Sequence, residues 1–146
     1  MLLGRFQHSL DEKGRIVLPS GFRDQLHGAL FFALGDENEV AIWPDEAFQV
    51  KLSQKKAKEL EGLEGGREFR RFTSNSGPVK VDGQFRVAIP DFLRTQAGLV
   101  RDVTIMGAWD RVEVWDTTRL DRYLASTPPS ALGAGTGSGA TTESVS

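Results

Sequence analysis

Short apolar runs separated by polar, Gly- and Pro-marked turns set the rhythm of this chain. Ile16-Val17-Leu18 precedes Pro19, and Val87-Ala88-Ile89 precedes Pro90. The branched residues predict strands, and each proline ends its strand because it has no N–H to give a ladder. Ser20 and Asp91 then predict N-caps of short helices, closed by Gly28 and Gly98. Two further strands are expected in each half, around turns at Gly35-Asp36-Glu37-Asn38 and Gly107-Ala108-Trp109-Asp110, ending on Trp43 and Trp115. A helix should follow from Asp45 and from Asp116. The first is expected to reach Leu60, with Phe48, Leu52 and Leu60 along one face. Lys51, Lys55, Lys56 and Lys58 lie among Glu59, Glu61 and Glu64, which reads as a solvated helix face with local ion pairs rather than as a rim for a phosphate backbone. Gly62, Gly65 and Gly66 mark the link between the halves.

The two halves are copies of each other. Leu10-Asp11-Glu12-Lys13-Gly14-Arg15-Ile16-Val17-Leu18-Pro19 aligns with Val81-Asp82-Gly83-Gln84-Phe85-Arg86-Val87-Ala88-Ile89-Pro90, and Phe22-Arg23-Asp24-Gln25 with Leu93-Arg94-Thr95-Gln96. Asp, Arg, Pro, Arg and Gln coincide at a constant offset of 71 residues; Gly35, Val40 and Trp43 match Gly107, Val112 and Trp115 at 72, after one insertion. A tandem duplication explains such ordered identity. Each copy spans about 50–60 residues, too small to bury a generous core alone, so the copies are expected to share a core or to pack against another chain.

Composition narrows the function classes. With 18 Lys+Arg against 20 Asp+Glu the net charge is −2, so nucleic-acid contact has to come from a local basic surface rather than a basic coat. The longest apolar run, Ala29–Leu34, is too short for a bilayer, and only Met1-Leu2-Leu3 precede Gly4-Arg5, so neither a membrane span nor a targeting segment is expected. The absence of Cys removes disulfides, thiol nucleophiles and thiolate metal sites, and makes the cytoplasm the expected compartment. His8 and His27 stand alone, without companion ligands at metal spacing. From about residue 126 the chain turns to Gly, Ser, Ala and Thr, which cannot offset its ordering entropy and should be a disordered tail. Gly133, Gly135, Gly137 and Gly139 lack the strand and helix that a phosphate loop needs.

The paired Asp-x-x-x-Arg turns, each leading into a strand, a proline and a short helix, resemble the MraZ family of bacterial regulators, from residue 1 to about residue 125. The resemblance implies an α+β fold built from tandem AbrB/SpoVT-like swapped-hairpin elements, residues 1–62 and 63–125, forming a β-barrel with short helices, and leaves 126–146 as the tail. It further implies a ring homo-oligomer that binds direct repeats in promoter DNA, regulates the division and cell-wall gene cluster and associates with the nucleoid. In that family the Asp-x-x-x-Arg motifs lie on the DNA-binding face, which singles out Asp11, Arg15, Asp82 and Arg86. Gly14 precedes the first motif Arg but Phe85 the second; Phe adopts φ > 0 poorly, so the second loop is expected to take another shape, using Gly83.

Chemistry assigns roles within the motifs. A guanidinium is a planar donor fork suited to phosphate or to a guanine edge, so Arg15 and Arg86 are the candidate DNA contacts, with Lys13 and Arg5 as phosphate contacts. A carboxylate repels phosphate, so Asp11 and Asp82 are expected to order the turn and orient the Arg. Arg23 and Arg94 divide evenly between solvated helix residues and DNA contacts, while Arg67, Arg70 and Arg71 read as a solvated link. Trp43 and Trp115 end apolar strands and belong to the core rather than to a base-stacking surface. No cofactor or small-molecule ligand is implied, and no nucleophile, metal cluster or pocketed carboxylate pair suggests an enzyme. The reading is a DNA-binding transcriptional regulator; the alternative is a non-catalytic, ring-forming assembly module whose partner is a protein.

Overall fold

The computed structural model describes residues 1–126, and the expectation of a disordered tail lies outside them. Eight strands and five helices follow along the described chain. Strand β1 is Arg5–Ser9, β2 Arg15–Val17, β3 Leu30–Leu34 and β4 Val40–Pro44; α1 is Ser20–Arg23 and α2 Asp45–Glu59. Helix α3, Leu63–Ser74, precedes β5 (Gly77–Val79), β6 (Arg86–Ala88), α4 (Asp91–Ala97), β7 (Asp102–Gly107), β8 (Val112–Asp116) and α5 (Thr117–Ala125). Among the described residues no helix is long and apolar enough to cross a membrane.

Six strands form one antiparallel sheet in the order β1-β7-β8-β4-β3-β5, and β2 pairs with β6 in a separate two-stranded ribbon. The repeats interleave: β1 of the first copy pairs with β7 of the second, and β5 of the second with β3 of the first. Val40 opposite Val114 joins the two hairpins at the centre. Among the described residues the expected barrel does not close. Strands β1 and β5 stand at opposite ends of the sheet, and the ribbon strands, stopped by Pro19 and Pro90 after three residues, pair with each other instead of bridging those ends.

Period-two alternation divides the sheet into two faces. Phe32, Leu34, Val40, Ile42, Val103, Ile105, Val112 and Val114 point to one side and pack with Ile16 and Val87 of the ribbon and with Phe22 and Leu93 of α1 and α4. This core draws on both copies. The intervening Ala33, Ala41 and Trp43 face the other side, under Phe48 of α2 and Phe72 of α3. Trp43 and Trp115 are both buried, as their strand-end positions predict.

Local punctuation differs from the reading in instructive ways. Ser20 and Asp91 are the first helical residues rather than the caps; Pro19 and Pro90 occupy the cap positions, and neither helix has a side-chain cap. Proline already has the extended backbone a cap requires, and the Pro19 and Pro90 carbonyls accept from Phe22 and Leu93. Gly98 caps α4 in the left-handed conformation, whereas α1 ends at Arg23, well before Gly28. Helix α2 follows its expected span, but Leu60 at its end is exposed rather than on the buried face of Phe48. The Gly62–Gly66 segment is not a plain link, because Gly65 and Gly66 lie inside α3. A Cβ at Gly65 would overlap the Lys58 carbonyl, so the glycine lets α3 lie directly on α2.

Candidate nucleic-acid interface

Each Asp-x-x-x-Arg segment folds into the same hydrogen-bonded loop. Asp11 N–H donates to the Arg15 carbonyl at 3.0 Å and Gly14 N–H to the Asp11 carbonyl at 3.0 Å; Asp82, Phe85 and Arg86 repeat both bonds at 3.0 Å. The aspartate side chain fills the loop. Oδ1 of Asp11 accepts the N–H groups of Lys13 and Arg15 at 2.9 Å, and Oδ2 accepts Arg15 Nε at 2.6 Å. Asp82 does the same for Gln84 and Arg86, with its Arg86 Nε bond at 2.7 Å. The backbone N–H of Arg15, then the Arg15 guanidinium and the Lys13 N–H, holds the Asp11 carboxyl below its ordinary value against partial burial. Arg86 and Gln84 act likewise on Asp82. Both carboxylates are therefore ionised orienting groups.

The second loop corrects the expectation set by Phe85. It has the shape of the first: Phe85 adopts φ 60° where Gly14 adopts φ 71°, and Gly83 supplies no left-handed conformation. Two contacts exchanged between the copies account for this. The Arg23 guanidinium lies 4.1 Å from the centroid of the Phe85 ring, and the Phe85 carbonyl accepts Leu18 N–H at 2.8 Å. At the other loop a Cβ on Gly14 would overlap the Arg94 guanidinium, and the Gly14 carbonyl accepts Ile89 N–H at 3.0 Å. One site thus needs glycine to admit an arginine, while the other seats a ring beneath one. A left-handed Phe costs roughly 1–2 kcal/mol, which this stacking and ladder bond offset.

Arg23 and Arg94, evenly divided in the sequence reading, both hold the fold, Arg94 through its terminal nitrogens and Arg23 through Nε and its stacking on Phe85. Arg23 Nε donates to the Leu18 carbonyl at 2.9 Å, and Arg94 donates to the Ile89 carbonyl and pairs with Asp91 at 3.1 Å. The pairing of two copies that matched at one offset was visible in the sequence; that each arginine locks the other copy's loop was not.

Arg15 and Arg86 share one face of the ribbon. Within the ribbon Arg15 lies opposite Ala88, and Val17 opposite Arg86. Ile16 and Val87 fill the buried face, so Arg15, Val17, Arg86 and Ala88 share the outer face. Strand geometry puts the two arginine Cα atoms roughly 8 Å apart, from about 3.4 Å per residue along the strand and about 5 Å across it. Each guanidinium is bound through Nε alone, and among the described residues its terminal nitrogens meet no acceptor. Their side chains are 25% and 32% exposed, so neither is sealed in the core. Lys13 sits at the tip of the first loop and its counterpart is Gln84.

Arg5 is not brought to this face. It pairs with Met106, on the sheet side away from the core, and its guanidinium lies 3.9 Å from Asp121 of α5. Arg67 and Arg70 of α3 pair with Glu64 at 2.5 Å and Glu59 at 3.6 Å, again on that opposite side. Lys56 of α2 pairs with Glu59 as a solvated helix face does, whereas Lys55, only 13% exposed, turns inward and pairs with Asp36 of the β3–β4 turn. Among the described residues no group of three or more His, Asp or Glu side chains stands together as a metal site.

The family model described as "MraZ protein, putative antitoxin-like" matches residues 1–64 and 72–131. A protein of Kineococcus radiotolerans named transcriptional regulator MraZ is 40% identical over 129 residues, covering 88% of this chain and 90% of that protein. Proteins of the same name from Cutibacterium acnes and Clavibacter michiganensis are 38% identical over 124 residues and 34% over 126, covering 84% and 86% of this chain and 87% and 88% of theirs.

Proposed function

The chain belongs to the MraZ family, and from that premise we propose that it is a transcriptional regulator gripping double-stranded DNA with the outer face of the β2–β6 ribbon. The observation that carries the reading is the pair of arginines on that face, each aimed by a carboxylate and each with its terminal nitrogens uncommitted. A two-stranded ribbon fits a major groove about 12 Å wide, and both arginines stand on the face that would enter it. Lys13 adds a phosphate contact at one end of the ribbon. The family relationship supports the finer picture: swapped-hairpin copies, a ring of identical chains, direct repeats upstream of a division and cell-wall gene cluster, and a place on the nucleoid.

Arg15→Ala tests this directly. In fluorescence anisotropy with the DNA upstream of its own gene, the variant should lose at least about tenfold in affinity, as expected for a bidentate base contact worth roughly 1–3 kcal/mol. Melting temperature and oligomer size should not change. Wild-type affinity should fall steeply with salt. Equal binding by the variant, or equal binding to scrambled DNA, overturns the proposal and leaves the protein-binding assembly module in its place.

A further inference from the structure

The ribbon has a local two-fold axis. Its register sets Ile16 opposite Val87, Arg15 opposite Ala88 and Val17 opposite Arg86, so exchanging the strands maps one motif onto the other. The ladder continues past both strand ends, where the Gly14 carbonyl accepts Ile89 N–H at 3.0 Å and the Phe85 carbonyl accepts Leu18 N–H at 2.8 Å. The two Asp-x-x-x-Arg loops therefore close opposite ends of the ribbon. A surface of this symmetry, with one arginine from each motif, suits a site that looks the same from both DNA strands. On the arginines alone, the chain has no preferred direction on a duplex.

The loop tips break the symmetry. The third residue of each motif is fixed in the same way: Lys13 N–H donates to Asp11 Oδ1 and Gln84 N–H to Asp82 Oδ1, both at 2.9 Å. Both residues are exposed, and among the described residues neither side chain has a hydrogen-bond or ion-pair partner. What leaves from that common point differs. Lys13 carries a charge and donors alone, whereas Gln84 is neutral and sets a donor beside an acceptor. Glu12 stands next to Lys13, but Gly83 stands next to Gln84. The one carboxylate of the second motif, Asp82, already accepts three N–H groups, so it does not compete for the amide.

Phosphate offers acceptors alone, which satisfy a lysine but only half of an amide. In the major groove adenine presents an acceptor, N7, beside a donor, the N6 amino group; guanine presents two acceptors, and cytosine and thymine one polar group each. A glutamine amide meets both adenine groups at once. Resting on the DNA reading above, we propose that Gln84 reads an adenine at one end of each site, opposite the end where Lys13 meets phosphate. Gln84 is then a specificity-determining residue, and it seats the chain on DNA in a single direction.

The full-length chain is titrated by fluorescence anisotropy against the DNA upstream of its own gene, and against a series in which each base pair is replaced in turn by the other three. At one A·T pair or more, replacement should cost wild type about tenfold, the scale of a lost bidentate contact. Gln84→Ala should bind all four pairs at that position within about twofold of one another and keep its discrimination elsewhere. Gln84→Lys should erase the same preference while steepening the logarithmic salt slope by about one, whereas Lys13→Ala should weaken all sequences evenly and make the slope shallower by about one. Melting temperatures of all three variants should match wild type, because neither side chain is bonded within the described fold. A Gln84→Ala protein that discriminates at every position as wild type does, or that binds every sequence more weakly by one common factor, overturns the proposal and leaves the DNA reading standing. Equal wild-type binding to upstream and scrambled DNA removes both.

Discussion

Glu39 shows how one side chain couples structure to solution conditions. Its carboxyl lies at about 7 when folded, against the ordinary 4.5, because burial and Glu113 disfavour its charge. Asp36 and Glu37 from its own turn, Lys51 and Lys55 from α2, Arg111 just before β8, Glu113 within it and Tyr123 from α5 line the cavity on the sheet face opposite the ribbon. A raised carboxyl means that the native state keeps a proton which the unfolded chain releases. Stability should therefore decline as pH rises between the two values and level off above the higher one, by on the order of 3 kcal/mol in all. Glu39→Gln removes the titrating group and keeps the bond to Glu37 N–H. Urea denaturation should then show the variant matching wild type in acid but exceeding it by about 1–3 kcal/mol above neutrality; parallel pH curves would rule this account out. Nothing in the sequence advertised Glu39. It is one of many acids in a turn, and only the hairpin register folds it over Gly35, where a Cβ would overlap its carboxyl. Asp11 and Asp82 were legible for the opposite reason: their partners lie two and four residues away, so local chemistry alone determines their role.

At the scale of elements, six of the eight strands were readable because Pro19, Pro90, Gly98 and the paired tryptophans punctuate both copies; β1 and β5, whose only partners are β7 and β3, went unseen. Helix α3 was not. Its glycines look like a link, and its stability comes from lying on α2, a tertiary contact invisible in local propensity. The separate ribbon was equally hidden, since strand pairing between copies is a choice among long-range partners. The two α3 glycines make contrasting predictions. Gly65→Ala puts a methyl into the Lys58 carbonyl, backbone that cannot yield, and should cost about 1–3 kcal/mol despite the better helix former. Gly66→Ala meets mainly the flexible Arg70 side chain, 3.0 Å away, and should be neutral or stabilising by up to about 1 kcal/mol. Thermal melts of both variants check the pair, and equal effects would show that α3 does not cross α2 at Gly65.

The whole molecule imposes its own condition on DNA binding. The chain carries a net charge of −2, and the ribbon does little to reverse it: Asp11 and Glu12 balance Lys13 and Arg15, and Asp82 balances Arg86. Phosphate attraction, the main sequence-independent source of affinity, is therefore small for a single copy of this surface. On the proposed reading the arginine forks would supply discrimination more than grip. Tight binding then requires several ribbons on one DNA, each later contact being intramolecular once the first is made. A ring of identical chains, as proposed, would meet that requirement. Affinity for DNA carrying several direct repeats should exceed that for a single repeat of the same total length by at least about a hundredfold. The logarithmic salt slope should steepen with repeat number, because each engaged ribbon releases its own counterions. Anisotropy titrations at two salt concentrations measure both quantities. Equal affinity for one repeat and for several would mean that a single ribbon holds DNA by contacts beyond Arg15, Arg86 and Lys13, and that assembly contributes nothing to recognition.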